Sequence, residues 1–126
     1  MDLNLEENMG ISYKLFFCIF MAGGLGANLR WITSHFANKL TGKMWSGTLV
    51  VNLIGCLIFF LVSRYQPSNK ELELVFKTGL LGSLTTFSTF SYEVVTLIKA
   101  GRLTEALLVF SLNIFLGIII GIGIIR

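Results

Sequence analysis

Four apolar segments, each close to the roughly 20 residues that an α-helix needs to cross a bilayer, occupy almost all of this 126-residue chain. Their approximate limits are 12–35, 44–63, 74–98 and 104–125. Only short loops separate them, which leaves no room for a soluble catalytic domain. In lipid, a helix satisfies its own backbone groups. The expected fold is therefore an all-α integral membrane protein with four transmembrane helices in one domain, 1–126. Charged residues are 13% of the chain, about half the roughly 25% of soluble domains. The polar Met1–Gly10 segment is expected to fray. Asp2, Glu6 and Glu7 stand where a secretory signal would carry bases, so the first apolar segment is expected to be a retained span.

The third segment contradicts its own apolarity. Between Gly79 and Ser91 runs Gly-Leu-Leu-Gly-Ser-Leu-Thr-Thr-Phe-Ser-Thr-Phe-Ser, with hydroxyls at 83, 85, 86, 88, 89 and 91. Membrane hydroxyls can bond back one turn along their own helix, but six exceed that need. Gly79 and Gly82 weaken the helix. A weakened turn at membrane depth is tolerated only where protein or water satisfies its freed backbone. The stretch predicts a broken or loosened helix lining something polar, with Phe87 and Phe90 on one face.

The other spans carry isolated polar residues. Gly23-Gly24-Leu25-Gly26-Ala27-Asn28 is a small-residue patch, and Gly23 and Ala27, four apart, invite close approach of a helix. Arg30 beyond it is either a snorkelling end-of-span charge or an anion-attracting vestibule. Trp31 and Trp45 fit an aromatic belt. Asn52 either glues helices by a hydrogen bond or points a donor into a pore. Lys77, early in span three, is read as snorkelling. Glu93 is either a functional carboxylate or an interfacial residue that pairs with a base or caps a helix. Span four carries Ser111 and Asn113 beside Gly117, Gly121 and Gly123.

The net charge of +3 is scattered over loop ends, which excludes a nucleic-acid surface. Lys14, Arg64, Lys70, Lys77 and Arg126 fall on one side of the membrane; Arg30, Lys39, Lys43, Lys99 and Arg102 fall on the other. Lys/Arg bias sets orientation, and an even split predicts insertion both ways. Two opposed copies could then pair about an axis in the membrane plane. Cys18 and Cys56 are expected to be buried thiols, with no metal-ligand spacing around them. The sole histidine, His35, is placed near a loop, and no nucleophile–base pair or phosphate-binding loop occurs, so no enzyme is expected.

If Asn52, Phe87, Phe90, the span-three hydroxyls and Asn113 converge, they form a path of neutral donors and ring edges. Phenyl edges are positive, and such a path can desolvate a small anion without trapping it. Freed carbonyls near Gly82 and Thr85 could instead hold a cation, as in unwound transporter helices.

Gly23–Arg30, Gly47-Thr48-Leu49-Val50-Val51-Asn52-Leu53-Ile54-Gly55, and Gly79–Ser91 with Glu93 resemble, in order and spacing, the three signatures of the Fluc/CrcB fluoride channels. The third is the specific one. The resemblance implies an antiparallel dual-topology homodimer, or a pair with a paralogous subunit, with fluoride pores in the cell membrane of a microbe. It implies passive export of fluoride from the cytoplasm, relieving fluoride toxicity. It assigns Phe87, Phe90 and Asn52 to the fluoride path, with Ser88, Thr89 and Asn113 beside them, and Arg30 to a vestibule. It places a structural Na+ on the backbone carbonyls of Gly82 and Thr85 at the dimer centre. Gly117 stands where many members carry a hydroxyl, a departure from the family pattern.

Two other classes are compatible with four spans. A small dual-topology multidrug/proton antiporter needs a carboxylate in span one, and span one has none. A non-transporting membrane assembly subunit would not need the Thr/Ser/Phe run.

Overall fold

A computed structural model describes residues 12–65 and 67–126; the Met1–Gly10 segment expected to fray lies outside them. The described residues are helical, with no strand among them. Helix α1 (Tyr13–Thr41) starts at Ser12, whose hydroxyl accepts from the Leu15 N–H. It ends where Gly42 turns left-handed (φ 68°) and donates its N–H to Asn38, a conformation glycine adopts without strain. Helix α1 thus outruns the expected 12–35 limits and takes His35 inside a helix. Helix α2 is Ser46–Tyr65. Asn69 caps α3 (Lys70–Leu74), which passes into a π-wound stretch, Val75–Leu81, and then α4 (Gly82–Leu84). Helix α5 (Phe87–Lys99) follows after two extended residues. A second left-handed glycine, Gly101, leads into α6 (Leu103–Ser111), a π-wound stretch Leu112–Leu116, and α7 (Gly117–Ile125).

Three helical runs are long and apolar enough to cross a membrane: Tyr13–Thr41, Ser46–Tyr65 and Leu103–Ile125. The segment between Lys70 and Lys99 is divided instead.

Helix α1 packs on α2 and on the Val75–Leu81 stretch, α7 on α2, and α5 on α6. Small residues set the closeness of the α1 seam. A methyl group on Gly26 would overlap the carbonyl oxygen of Leu80, and one on Gly47 would overlap the backbone of Ser34. At Gly79 it would stand 2.8 Å from Ala22 Cβ and 3.0 Å from the Ile19 oxygen. The expected contact point, Gly23, is looser: a methyl there would meet the Ser83 hydroxyl at 3.3 Å and the Gly79 oxygen at 3.8 Å. The tight residue is Gly26, because it faces backbone.

Two buried clusters make the core, one of Trp45, Phe90, Leu97, Ala106 and Val109 and one of Val51, Leu81 and Leu84. Trp45 is thus no belt residue. It is buried, and its Nε1–H donates to Glu105 Oε1 at 2.7 Å. Trp31 does face outward. Cys18, expected to be buried, is exposed on α1.

Lys43 and Arg102 join Trp45 on Glu105, which ties the α1–α2 and α5–α6 turns together at one end of the molecule. At the other end Arg64 Nη1 donates to the Ile124 carbonyl. Lys39, Lys43, Lys99 and Arg102 stand at the first end; Lys14, Arg64, Lys70 and Arg126 stand at the second. Arg30 and Lys77 leave the end groups, one from each side, and the balance of basic charge survives. Large apolar side chains cover the exterior, including Phe16, Phe20, Phe115, Ile119 and Ile122. A continuous surface of that kind calls for lipid or a partner.

Candidate functional site

The backbone is released from helical bonding just after Leu84. Thr85 (φ −79°, ψ 153°) and Thr86 (φ −149°, ψ 114°) are extended. Asn52, from the middle of α2, bonds to both sides of the opened backbone. Its Oδ1 accepts from the Thr86 N–H at 2.8 Å, and its Nδ2 donates to the Thr86 carbonyl at 3.2 Å. The same Nδ2 donates to Asn113 Oδ1 at 2.9 Å, and Asn113 Nδ2 donates to the Val109 carbonyl at 3.0 Å. The Thr86 hydroxyl accepts from the Thr89 N–H at 3.2 Å and so caps α5. Buried polar groups that leave a helix need such partners.

The carbonyls of Gly82 and Thr85 are among those that lose their usual donors here. In a continuous helix the N–H groups of Thr86 and Thr89 would bond to the oxygens of Gly82 and Thr85. They bind Asn52 Oδ1 and Thr86 Oγ1 instead. Arg30, well inside α1, lies with Nη1 3.5 Å from the Thr85 oxygen. It is not an end-of-span charge; it reaches across to the opened backbone.

The break opens onto a groove of about 310 Å³. Helix α2 contributes Asn52, Cys56 and Phe59; the π-wound stretch contributes Lys77 and Leu81. Gly82, Thr85, Thr86, Phe87 and Phe90 continue the wall, and Asn113 and Ile114 close it from the second π-wound stretch. π-Turns recur at functional sites because they shift side chains out of α register, and here both supply groove residues. The rings of Phe87 and Phe90 lie 5.6 Å apart, inclined at 57°. Phe90 is 4% exposed and Phe87 74%, so the pair runs from the core to the open side.

The groove therefore unites Asn52, Phe87, Phe90, Asn113, Gly82 and Thr85. Ser88 and Thr89 are exposed at the start of α5, within the hydroxyl cluster of Thr86 but outside the groove wall. Arg30 touches the break through Thr85 and does not line the groove. Sequence reasoning missed six lining residues: Gly55, Cys56, Phe59, Lys77, Leu81 and Ile114. Helical spacing held the signal for three of them. Asn52, Cys56 and Phe59 share one face of α2, and Lys77 stands four before Leu81 and eight before Thr85.

Among the described residues Glu93 has no basic partner, and it is buried. It is 3% exposed; Thr48 Oγ1 donates to its Oε1 at 2.6 Å, while Oε2 has no partner among the described residues. Outside the apolar segments, hydrogen bonds from Lys77 and then Lys70 hold the Glu73 carboxyl below the usual carboxylate range.

Residues 17–124 match the model of a family described as CrcB-like protein, Camphor Resistance (CrcB). The chain belongs to the CrcB family. A relative from Yersinia pseudotuberculosis, named fluoride-specific ion channel FluC 1, is 40% identical over 106 residues, 81% of this chain and 84% of the relative. A fluoride-specific ion channel FluC from Serratia proteamaculans is 43% identical over 100 residues, covering 76% and 79%. Another, from Oceanobacillus iheyensis, is 38% identical over 110 residues, covering 84% and 81%. The CrcB match and the apolar helices make this a multi-pass membrane protein.

Proposed function

We propose that this chain conducts fluoride passively across a membrane through the groove at the helix break. The observation that carries the reading is the convergence of two phenyl rings and two amides on an opened backbone, in a chain whose CrcB relatives are named fluoride channels. Ring edges and neutral N–H groups replace part of a small anion's hydration while offering no deep trap. Asn52 commits its Nδ2 to Thr86 and Asn113. Its role on the path is to hold the break and orient Asn113. Asn113 gives one amide hydrogen to Val109 and has a second without a protein partner among the described residues. That hydrogen is the amide donor toward fluoride, and Phe87 and Phe90 supply the ring edges.

In this reading the segment of about 74–98 crosses the bilayer as one interrupted span, making four in all. A second copy, inserted in the opposite sense, covers part of the apolar exterior. The even distribution of basic residues between the two ends supports dual insertion, and a paralogous subunit would satisfy the same geometry. The freed carbonyls of Gly82 and Thr85 suit Na+, a hard cation that takes neutral oxygens, and two opposed copies would double the donor set. Bound there, Na+ would bridge the copies with a fixed positive charge. The Arg30 guanidinium, 3.5 Å from the Thr85 oxygen, must withdraw for the ion to sit. Replacing Na+ by N-methylglucamine should lower the thermal midpoint of the purified protein; an unchanged midpoint counts against the sodium assignment.

The test of the function is fluoride efflux from liposomes holding the purified chain, with chloride as control. Fast fluoride efflux with negligible chloride efflux is expected. Folded protein that passes no fluoride would show either a missing second subunit or a wrong reading, and reconstitution with partners co-purified from the native membrane separates the two.

A further inference from the structure

We infer that Lys77 is an anion-binding residue at the mouth of the groove, drawing fluoride toward the break; the inference rests on the channel reading. Lys77 is the one charged side chain among the groove's lining residues. Everything farther in is neutral: Asn52, Thr85, Thr86, Asn113 and the two rings. The groove has a direction. Asn52 marks its inner end on α2, and Phe59, two turns nearer the α2–α3 loop, marks the other. Lys77 Nζ stands over the Phe59 ring, 5.2 Å from its centroid. The cation therefore sits where the groove meets the loop side of the molecule.

Its ion pair does not cancel its charge. Glu73 gives Oε1 to Lys77 and Oε2 to Lys70, so two ammonium groups share one carboxylate. The next acid on the same helix, Glu71, is exposed and lies on the opposite side of α3 from Glu73, about 200° round the helix. The side chain of Lys77 is 21% exposed against 76% for Lys70. Its field is screened less by salt and solvent than a surface charge would be. A positive charge at the end of a low-dielectric cleft raises the local anion concentration. Lysine also suits release: it is a point charge with rotatable donors, and Glu73 competes for it as each ion moves on.

The test compares fluoride efflux from liposomes for wild type, Lys77→Met, Lys77→Arg and Glu73→Gln, at low fluoride and in increasing potassium gluconate. Lys77→Met should lose flux on the order of tenfold at low ionic strength, with the deficit shrinking as salt screens the charge. Lys77→Arg should keep most of the flux. Glu73→Gln should match or exceed wild type, because it removes the competing carboxylate and keeps the cation. A folded Lys77→Met protein with wild-type flux at every salt concentration overturns the inference and leaves the channel reading standing. Equal losses in Lys77→Met and Glu73→Gln also overturn it, since they mark a structural ion pair. No fluoride flux from wild type, alone or reconstituted with partners co-purified from the native membrane, overturns this inference together with the channel reading.

Discussion

Two neighbouring stretches of the divided segment depart from α-helical winding in opposite ways. The Val75–Leu81 stretch rewinds but stays helical, and it is held by shape: Gly79 against α1, and the Leu80 carbonyl against Gly26. The Thr85–Thr86 stretch abandons helical bonding and is held by polar side chains, chiefly Asn52 and the Thr86 hydroxyl. Of the two glycines that suggest weakness, Gly79 belongs to the first stretch and serves packing, while Gly82 follows it at the start of α4 and lines the groove. The opening that exposes carbonyls to the groove belongs to the second, which contains no glycine. Small residues let helices approach; hydrogen-bonding side chains let one open.

The sharpest way to break this comparison is to damage each stretch by its own logic. Gly26→Leu drives a side chain into the Leu80 backbone and should cost about 3 kcal/mol, read as loss of monodisperse protein and a collapsed thermal midpoint. Gly24→Ala, where nothing lies within 4 Å, should be silent in the same assay. Similar midpoints for the two variants would undo the packing account.

Asn52→Leu leaves the Thr86 N–H unpaired and takes one donor from the Thr86 carbonyl, which as the N-cap of α5 keeps its helical donor, while the volume of α2 stays nearly constant. About 2 kcal/mol of stability should go, and fluoride flux should fall at least about tenfold because the break loses its frame and Asn113 its partner. Full flux in a folded Asn52→Leu protein would remove Asn52 from the account. Thr86→Val is milder: it deletes the cap of α5 and keeps the clamp, so a loss of about 1 kcal/mol is expected in thermal unfolding. A drop as large as that for Asn52→Leu would mean that the cap, not the clamp, holds the break.

The smallest effect concerns the helical entrance to the first stretch. Because Lys77 and Lys70 depress the Glu73 pKa, the stability this carboxylate adds is present above the ordinary glutamate range and is lost as pH falls through its lowered value. Wild type and Glu73→Gln should differ slightly in thermal midpoint at pH 7 and converge under acid. A gap that widens on acidification would reverse the sign and reject the ion-pair assignment.

Much of the architecture was legible in the apolar segments, because span length and helix-only backbone chemistry leave few alternatives. The hydroxyl run located the break to within a few residues. Its cause was not legible: Asn52 is 34 positions before Thr86, and no local pattern announces that a side chain so distant will take over backbone bonds. Trp45 misled for a similar reason, since its indole partner Glu105 lies 60 residues away. Lys77 and Phe59 were hidden in segments whose helical faces become meaningful only once α2 and the π-wound stretch are side by side. Gly79 carried a true signal with the wrong meaning.

The most direct test of the groove as the ion path is fluoride efflux from liposomes by a Phe87→Ile, Phe90→Ile double variant beside wild type, with folding checked by thermal unfolding. Isoleucine keeps the apolar bulk and removes the ring edges. The account predicts a folded protein whose fluoride efflux is all but lost. Wild-type efflux from the folded double variant would contradict it, because fluoride would then cross without the rings that line this groove.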